Sequence, residues 1–137
     1  MKSGIRHHLE QTKTHAERVE QILEALGESR KGKKCKGMNG IVAEGNEILG
    51  EDYRGAVLDS AIISAAQRVE HYEIAAYGSA REYAQLLGQN DAVSLLGKTL
   101  EEEIETDQKL TEMAHAINQQ AALGGAGGKA RTAASGE

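Results

Sequence analysis

Apolar residues recur along this chain every three or four positions, the spacing that places them on one face of a helix. From about Ile5 to Leu26 the stripe is Leu9, Thr12, Ala16, Val19, Leu23 and Leu26, and Gly27 is placed to end that helix. A basic, glycine-rich linker runs from Ser29 to Gly37. A short amphipathic stretch follows from Met38 to about Leu49, with Ile41, Val42, Ile48 and Leu49 as its apolar positions. The third segment, from about Tyr53 to Leu87, carries Leu58, Ile62, Ala66, Val69, Ala76, Ala80, Ala84 and Leu87, and Gly88 closes it. Asn90 stands where a helix cap is expected. The fourth segment runs from Asp91 to about Ala122 on a stripe of Val93, Leu96, Leu100, Ile104, Leu110, Ala114 and Ile117. Residues 123–137 are rich in Gly, Ala and Ser without any apolar period. They are predicted to form a disordered tail outside a helical domain of residues 1–122. The pattern predicts an all-α fold: three long helices and one short crossover helix, with antiparallel neighbours as in a bundle.

Composition supports this and narrows the function. The length of 137 residues suits one domain. Leu, Ile and Val number 26 against 20 Ala, and Phe, Trp and Pro are absent. Such a core must bring backbones close through small residues, and an all-β fold is excluded. Lys plus Arg is 16 and Asp plus Glu is 21, a net charge of −5. The basic excess typical of a nucleic-acid partner is missing. No apolar run approaches the ~20 residues of a membrane span, and nothing resembles a secretory leader, so a cytoplasmic location is expected. One cysteine, Cys35, excludes an intramolecular disulfide. It lies among Lys33, Lys34 and Lys36, which favour its thiolate.

The informative positions are acids on apolar stripes. At 100° per residue, Asp107 falls in the middle of the fourth stripe and Glu103 lies one turn earlier on the same side. In the third segment Glu70 and Glu73 fall among Ala66, Tyr77, Ala80 and Ala84, while His71 points away. His8 and His15 flank the first stripe around Thr12. Buried carboxylates that approach one another need protons, basic partners or a cation. Carboxylates on facing helices one turn apart are how bundles build two-metal sites, and oxygen with imidazole suits iron or manganese. The alternative reading is structural. Glu70 and Glu73 then lie on a solvated face, and Asp107 is protonated or paired with Arg68 or Arg18. Tyr72 and Tyr77, beside the glutamates, fit either as core aromatics or as neighbours of a ligand.

The run Asp59-Ser-Ala-Ile-Ile-Ser-Ala-Ala-Gln-Arg-Val-Glu-His-Tyr-Glu-Ile-Ala-Ala-Tyr-Gly78 resembles the signature of the bacterial ferritin-like stress proteins typified by YciE and YciF. The flanking motifs agree: His8-Leu-Glu-Gln-Thr12 with His15 and Arg18, Cys35-Lys-Gly-Met38, Glu44-Gly45, and Thr99-Leu-Glu-Glu-Glu103 with Asp107 and Leu110. The resemblance covers about His8 to Ile117. It implies a ferritin-like bundle, usually a homodimer, related to two-metal carboxylate proteins. It implies Glu70 and Glu73 as the carboxylate pair of the third helix and Glu103 and Asp107 as the acids of the fourth. His15, with His8, would be the imidazole contribution. Relatives normally begin with a further helix, and many place Glu where Gln11 stands, so the expected bundle is truncated and its metal site reduced.

Two functions follow. The first is a cytoplasmic, stress-associated ferritin-like protein with an iron or manganese site of Glu70, Glu73, Glu103, Asp107, His15 and His8. The second is a non-catalytic helical dimerisation module without metal. Both expect a homo-oligomer and neither a nucleic-acid nor a membrane partner.

Overall fold

The four segments form four α-helices in the computed structural model, which describes residues 2–125: α1 (Lys2–Ala25), α2 (Lys36–Gly50), α3 (Gly55–Leu86) and α4 (Asn90–Gly125). There is no strand among the described residues. Helix α4 continues to Gly125, so the first residues assigned to the tail are helical. The remainder, 126–137, lies outside the described residues.

Two glycines end helices as their position suggests. Gly27 and Gly88 both adopt φ of +69°, a conformation that costs little only without a side chain. At each, the next residue's N–H reaches back over the last turn, from Glu28 to Leu23 O at 2.8 Å and from Gln89 to Ala84 O at 2.9 Å. The second closure leaves almost no loop. The carbonyl of Gln89 already accepts from Val93 N at 3.0 Å, so Gln89, rather than Asn90, holds the capping position of α4.

That tight turn makes α3 and α4 an antiparallel pair, and their packing is the spine of the fold. Helix α1 lies on α4 and α2 lies on α3, while the backbones of α1 and α3 do not approach each other. Ala84, Ala92 and Leu96 form a small core at the turn end, covered by Ile22, Tyr77, Ala80 and Val93. Small side chains allow this close approach. No described helix is long and apolar enough to cross a membrane.

The stripe of α4 differs from its apolar pattern. The buried positions are Ala92, Leu96, Thr99, Glu103, Thr106 and Leu110, in steps of three and four. Ile104, expected inside, is 39% exposed. Two sides of α4 are covered, one by α3 and one by α1, and the buried line between them carries polar residues. Helix α1 shows the same rotation: Leu9 is 54% exposed, and His15 is its buried centre.

Helix α2 is fastened by a close approach. Cys35 caps it, its sulfur accepting from Met38 N at 3.4 Å and lying 2.8 Å from the Tyr72 hydroxyl of α3. The Tyr72 bond, then the Met38 N–H, lower the thiol pKa. Gly37 makes room for the phenol, since a Cβ there would lie 2.7 Å from Tyr72 Oη. Gly37→Ala is therefore expected to destabilise the protein by roughly 1–2 kcal/mol, because displacing a stiff ring outweighs alanine's helix preference. A urea melt of the variant checks this; equal or higher stability would show that α2 is loosely held.

Candidate metal centre

Helices α1, α3 and α4 each send side chains into one buried, polar layer. Glu103 of α4 is 0% exposed, His15 of α1 is 1% and Glu70 of α3 is 2%. His8, two turns before His15 on α1, reaches the same layer from its partly open edge. One ligand atom from each of His8, Glu70 and Glu103 lies within 4.8 Å of the other two. His8 Nε2 contacts Glu70 Oε1 at 3.1 Å, and its Nδ1 lies 3.4 Å from the Thr106 hydroxyl. His15 Nδ1 approaches Glu103 Oε1 at 2.9 Å without the alignment of a hydrogen bond. Tyr77 stands edge-on to the His15 ring, with centroids 6.3 Å apart.

Hydrogen bonding here is incomplete. Both oxygens of Glu103, Oε2 of Glu70 and Nδ1 of His15 are buried with no well-formed hydrogen bond. Buried polar groups are nearly always satisfied, so four unsatisfied atoms in one layer call for a proton, a cation or a buried water. The electrostatics agree. Burial above all, then the contact with Glu70 and the charges of Glu73, Glu70 and Glu102, push the Glu103 carboxyl up to about 9. Burial and the Glu70 charge also raise Glu73, which is half-buried beside the layer. The bond to Glu70 raises His8, whereas burial lowers His15. Burial pushes the Tyr77 phenol up to about 12.

Asp107, expected at the centre, lies outside the trio. Its Oδ1 accepts from Gln67 Nε2 at 3.1 Å and stands 3.2 Å from Nε2 of the exposed His71. The partners considered for it are engaged elsewhere: Arg18 with Glu102, and Arg68 with Glu44 at 3.8 Å. Glu44, in the crossover helix, is thus an exposed partner of α3. The wheel places both acids inward; Glu103 lies on the buried line, whereas Asp107 stands at its edge with its side chain 21% exposed.

Thr99 and Glu102 stand in the sequence only within the motif Thr99-Leu-Glu-Glu-Glu103, with no role of their own. Arg18 donates to both oxygens of Glu102, at 2.7 and 3.0 Å, and to the Thr99 hydroxyl at 3.1 Å. Glu102 Oε2 also lies 2.7 Å from His15 Nε2. The available signal was the spacing of His15 and Arg18, one turn apart on one face. A cavity of about 220 Å³ adjoins the layer on the His8 side, walled by Ile5, Ile62, Ala66, Leu110 and Met113 and reaching Glu70.

This arrangement can be set beside known proteins. Residues 1–123 match the family described as "Domain of unknown function (DUF892)". The chain belongs to that family. Protein YciF of Escherichia coli (strain K12) is 45% identical over 108 residues, 78% of this chain and 65% of that protein. The chain thus spans just under two thirds of that curated relative. The crystal structure of the E. coli stress protein YciF superposes with a TM-score of 0.81 at 42% identity, covering 85% of this chain and 74% of that one. YcfI of Rhodopseudomonas palustris gives a TM-score of 0.76 at 40% identity, covering 80% and 69%. The family resemblance read from the sequence and the all-α bundle both hold.

Proposed function

We propose that this chain is a metal-binding bundle protein that holds one divalent iron or manganese ion between His8, Glu70 and Glu103, with His15, which stands outside that trio with its Nδ1 beside Glu103, turning in as a fourth ligand. The observation that carries this reading is the set of buried, unsatisfied atoms on His15, Glu70 and Glu103. Two carboxylates and two imidazoles form an oxygen–nitrogen donor set suited to these ions, and no thiolate is near to favour softer ones. Glu73 adds negative charge at the edge. A bound ion would supply redox or Lewis-acid chemistry. The residues' own part is to bind it, exclude water on the His15 side and leave the apolar cavity at His8 as the approach. One ion fits better than the two expected from the resemblance, because Asp107 is turned toward Gln67 and His71. A stress-associated role is supported by the description of the E. coli relative. Metal analysis after purification without chelator, followed by calorimetric titration with manganous ion, tests the reading. Protein that carries no metal and takes none up would sink it.

A metal-free structural module is the second reading. It is favoured by the His8–Glu70 ion pair and by the strong tendency of Glu103 to hold its proton. The two readings agree on Asp107→Asn. Asparagine keeps an oxygen for Gln67, so stability should change by roughly less than 1 kcal/mol and manganese affinity by a few-fold at most. A large loss of affinity in that variant would return Asp107 to the ligand set.

A homodimer belongs to the same proposal. The cleft between α1 and α3 holds a cavity of about 460 Å³ walled by Ile22, Leu26, Tyr77, Ala80, Tyr83 and Leu87. Tyr83, Leu86 and Leu87 are largely exposed beside it. An apolar patch of this kind calls for cover. Light scattering at micromolar concentration is expected to give twice the chain mass; a stable monomer would refute it.

A further inference from the structure

Resting on the metal reading, we propose that Glu102, clamped by Arg18, is a positioning residue that fixes the tautomer of His15 and so makes its Nδ1 a ligand atom. His15 is 1% exposed, and each of its ring nitrogens faces a different carboxylate of α4. A neutral imidazole has one N–H to give. The contact to Glu102, at 2.7 Å, is formed as a hydrogen bond, and the one to Glu103, at 2.9 Å, is not. The proton therefore belongs on Nε2, and the lone pair on Nδ1 points into the buried layer beside Glu103.

Glu102 is itself held in one orientation. Arg18 meets both of its oxygens, at 2.7 and 3.0 Å, in the planar fork geometry that lysine cannot reproduce. The same guanidinium is anchored a turn earlier on α4 by Thr99, 1% exposed. With both oxygens occupied by Arg18, Glu102 is not free to become a ligand. It acts through His15, as outer-shell carboxylates orient metal-bound imidazoles elsewhere. His15 and Arg18 are one turn apart on α1, and Thr99, Glu102 and Glu103 share one stretch of α4. The relay thus also joins these two helices.

Glu102→Gln separates this role from simple packing. In either orientation the amide NH₂ faces a nitrogen of Arg18 and breaks the clamp, and where it also faces His15 Nε2 it drives the ring proton to Nδ1, closing the ligand position. The experiment combines ¹⁵N NMR of labelled histidine in metal-free protein with manganese calorimetry of wild type, Glu102→Gln and Arg18→Lys. Helix content and metal-free melts establish folding, and Arg18→Lys carries the test should Glu102→Gln not fold. The expected result is the Nε2–H tautomer in wild type, with manganese affinity reduced about 10- to 100-fold in Glu102→Gln and less in Arg18→Lys. An Nδ1–H tautomer in wild type overturns the proposal. So does unchanged affinity in a folded variant while wild type binds, which leaves the metal reading intact. Absence of manganese binding by wild type removes the metal reading and this proposal together.

Discussion

Metal-free Glu103→Gln should melt above metal-free wild type at pH 7.5 and should no longer respond to manganous ion. In the wild type Glu103 is wholly buried between Glu70 and His15, and its carboxyl is pushed up to about 9. Folding at neutral pH must then place a proton on a group that is ionised in the unfolded chain. Glutamine is neutral at no such cost, and its NH₂ finds acceptors in Glu70 and in Nδ1 of His15. The gain should be on the order of 2 kcal/mol. Metal reverses the order. An ion at a hundredfold excess over its dissociation constant stabilises the wild type by about 2.7 kcal/mol. For a chain of this size that is a rise on the order of 10 °C in Tm. The variant lacks the anionic ligand and should shift little. Scanning calorimetry of both proteins, with chelator and with manganous ion, separates the two functional readings. If metal moves neither protein and Glu103→Gln melts lower without it, Glu103 is an ionised, paired core acid and the metal reading fails.

Why Asp107 takes the centre of the α4 stripe in the sequence, with Glu103 beside it, while Glu103 is the more deeply buried acid in the fold, is a question of register. A pattern built on apolar residues rotates the helix toward Val93, Leu100 and Ile104, and the buried line occupied by Thr99, Glu103 and Thr106 carries no apolar signal. The same happened on α1, where Leu9 and Ala16 drew the stripe away from His15. Helix existence and ends were legible because they depend on local chemistry: spacing sets the first, and Gly27 and Gly88 set the second. The buried glutamate of α3 was legible because Glu70 is flanked by alanines on a single inner face. Glu102 was not. In the run Glu101-Glu-Glu103 only the packing of α1 against α4 decides which acid meets Arg18, which meets His15, and which faces solvent. The single-ion reading has a similar origin, since Gln67 and His71 claim Asp107 through contacts between helices that spacing along one helix does not reveal.

The stability of the metal-free protein should peak in mild acid and fall as pH rises toward 9. The sign follows from each group in turn. Glu103 has a folded pKa of about 9, above the ordinary carboxylate value of 4.5. Its contribution is complete below 4.5 and is lost as pH climbs through that range toward 9. Glu73, raised by burial and by Glu70, acts in the same direction. His8 is raised by its bond to Glu70, so its share is complete below 6.5 and lost as pH climbs through its folded value. Two groups oppose them from the acid side. His15 is lowered by burial, so its contribution is present above 6.5 and disappears as acid charges the ring. Glu102 is lowered chiefly by Arg18, and its contribution is present above 4.5 and lost below. Across pH 7 to 9 His15 and Glu102 have finished titrating, and the raised groups are opposed only by the exposed Cys35 thiol, lowered by its bond to Tyr72, so the melts are run on Cys35→Ser protein. One proton bound on folding gives a slope approaching about 1.4 kcal/mol per pH unit, roughly 3–5 °C in Tm. Bound metal should flatten this slope, because an ion takes the place of the proton at Glu103. Melts in chelator at half-unit steps from pH 5 to 9, repeated with manganous ion, measure both effects. A metal-free Tm that holds level or rises between pH 7 and 9 would mean that Glu103 is already ionised, its charge balanced within the bundle.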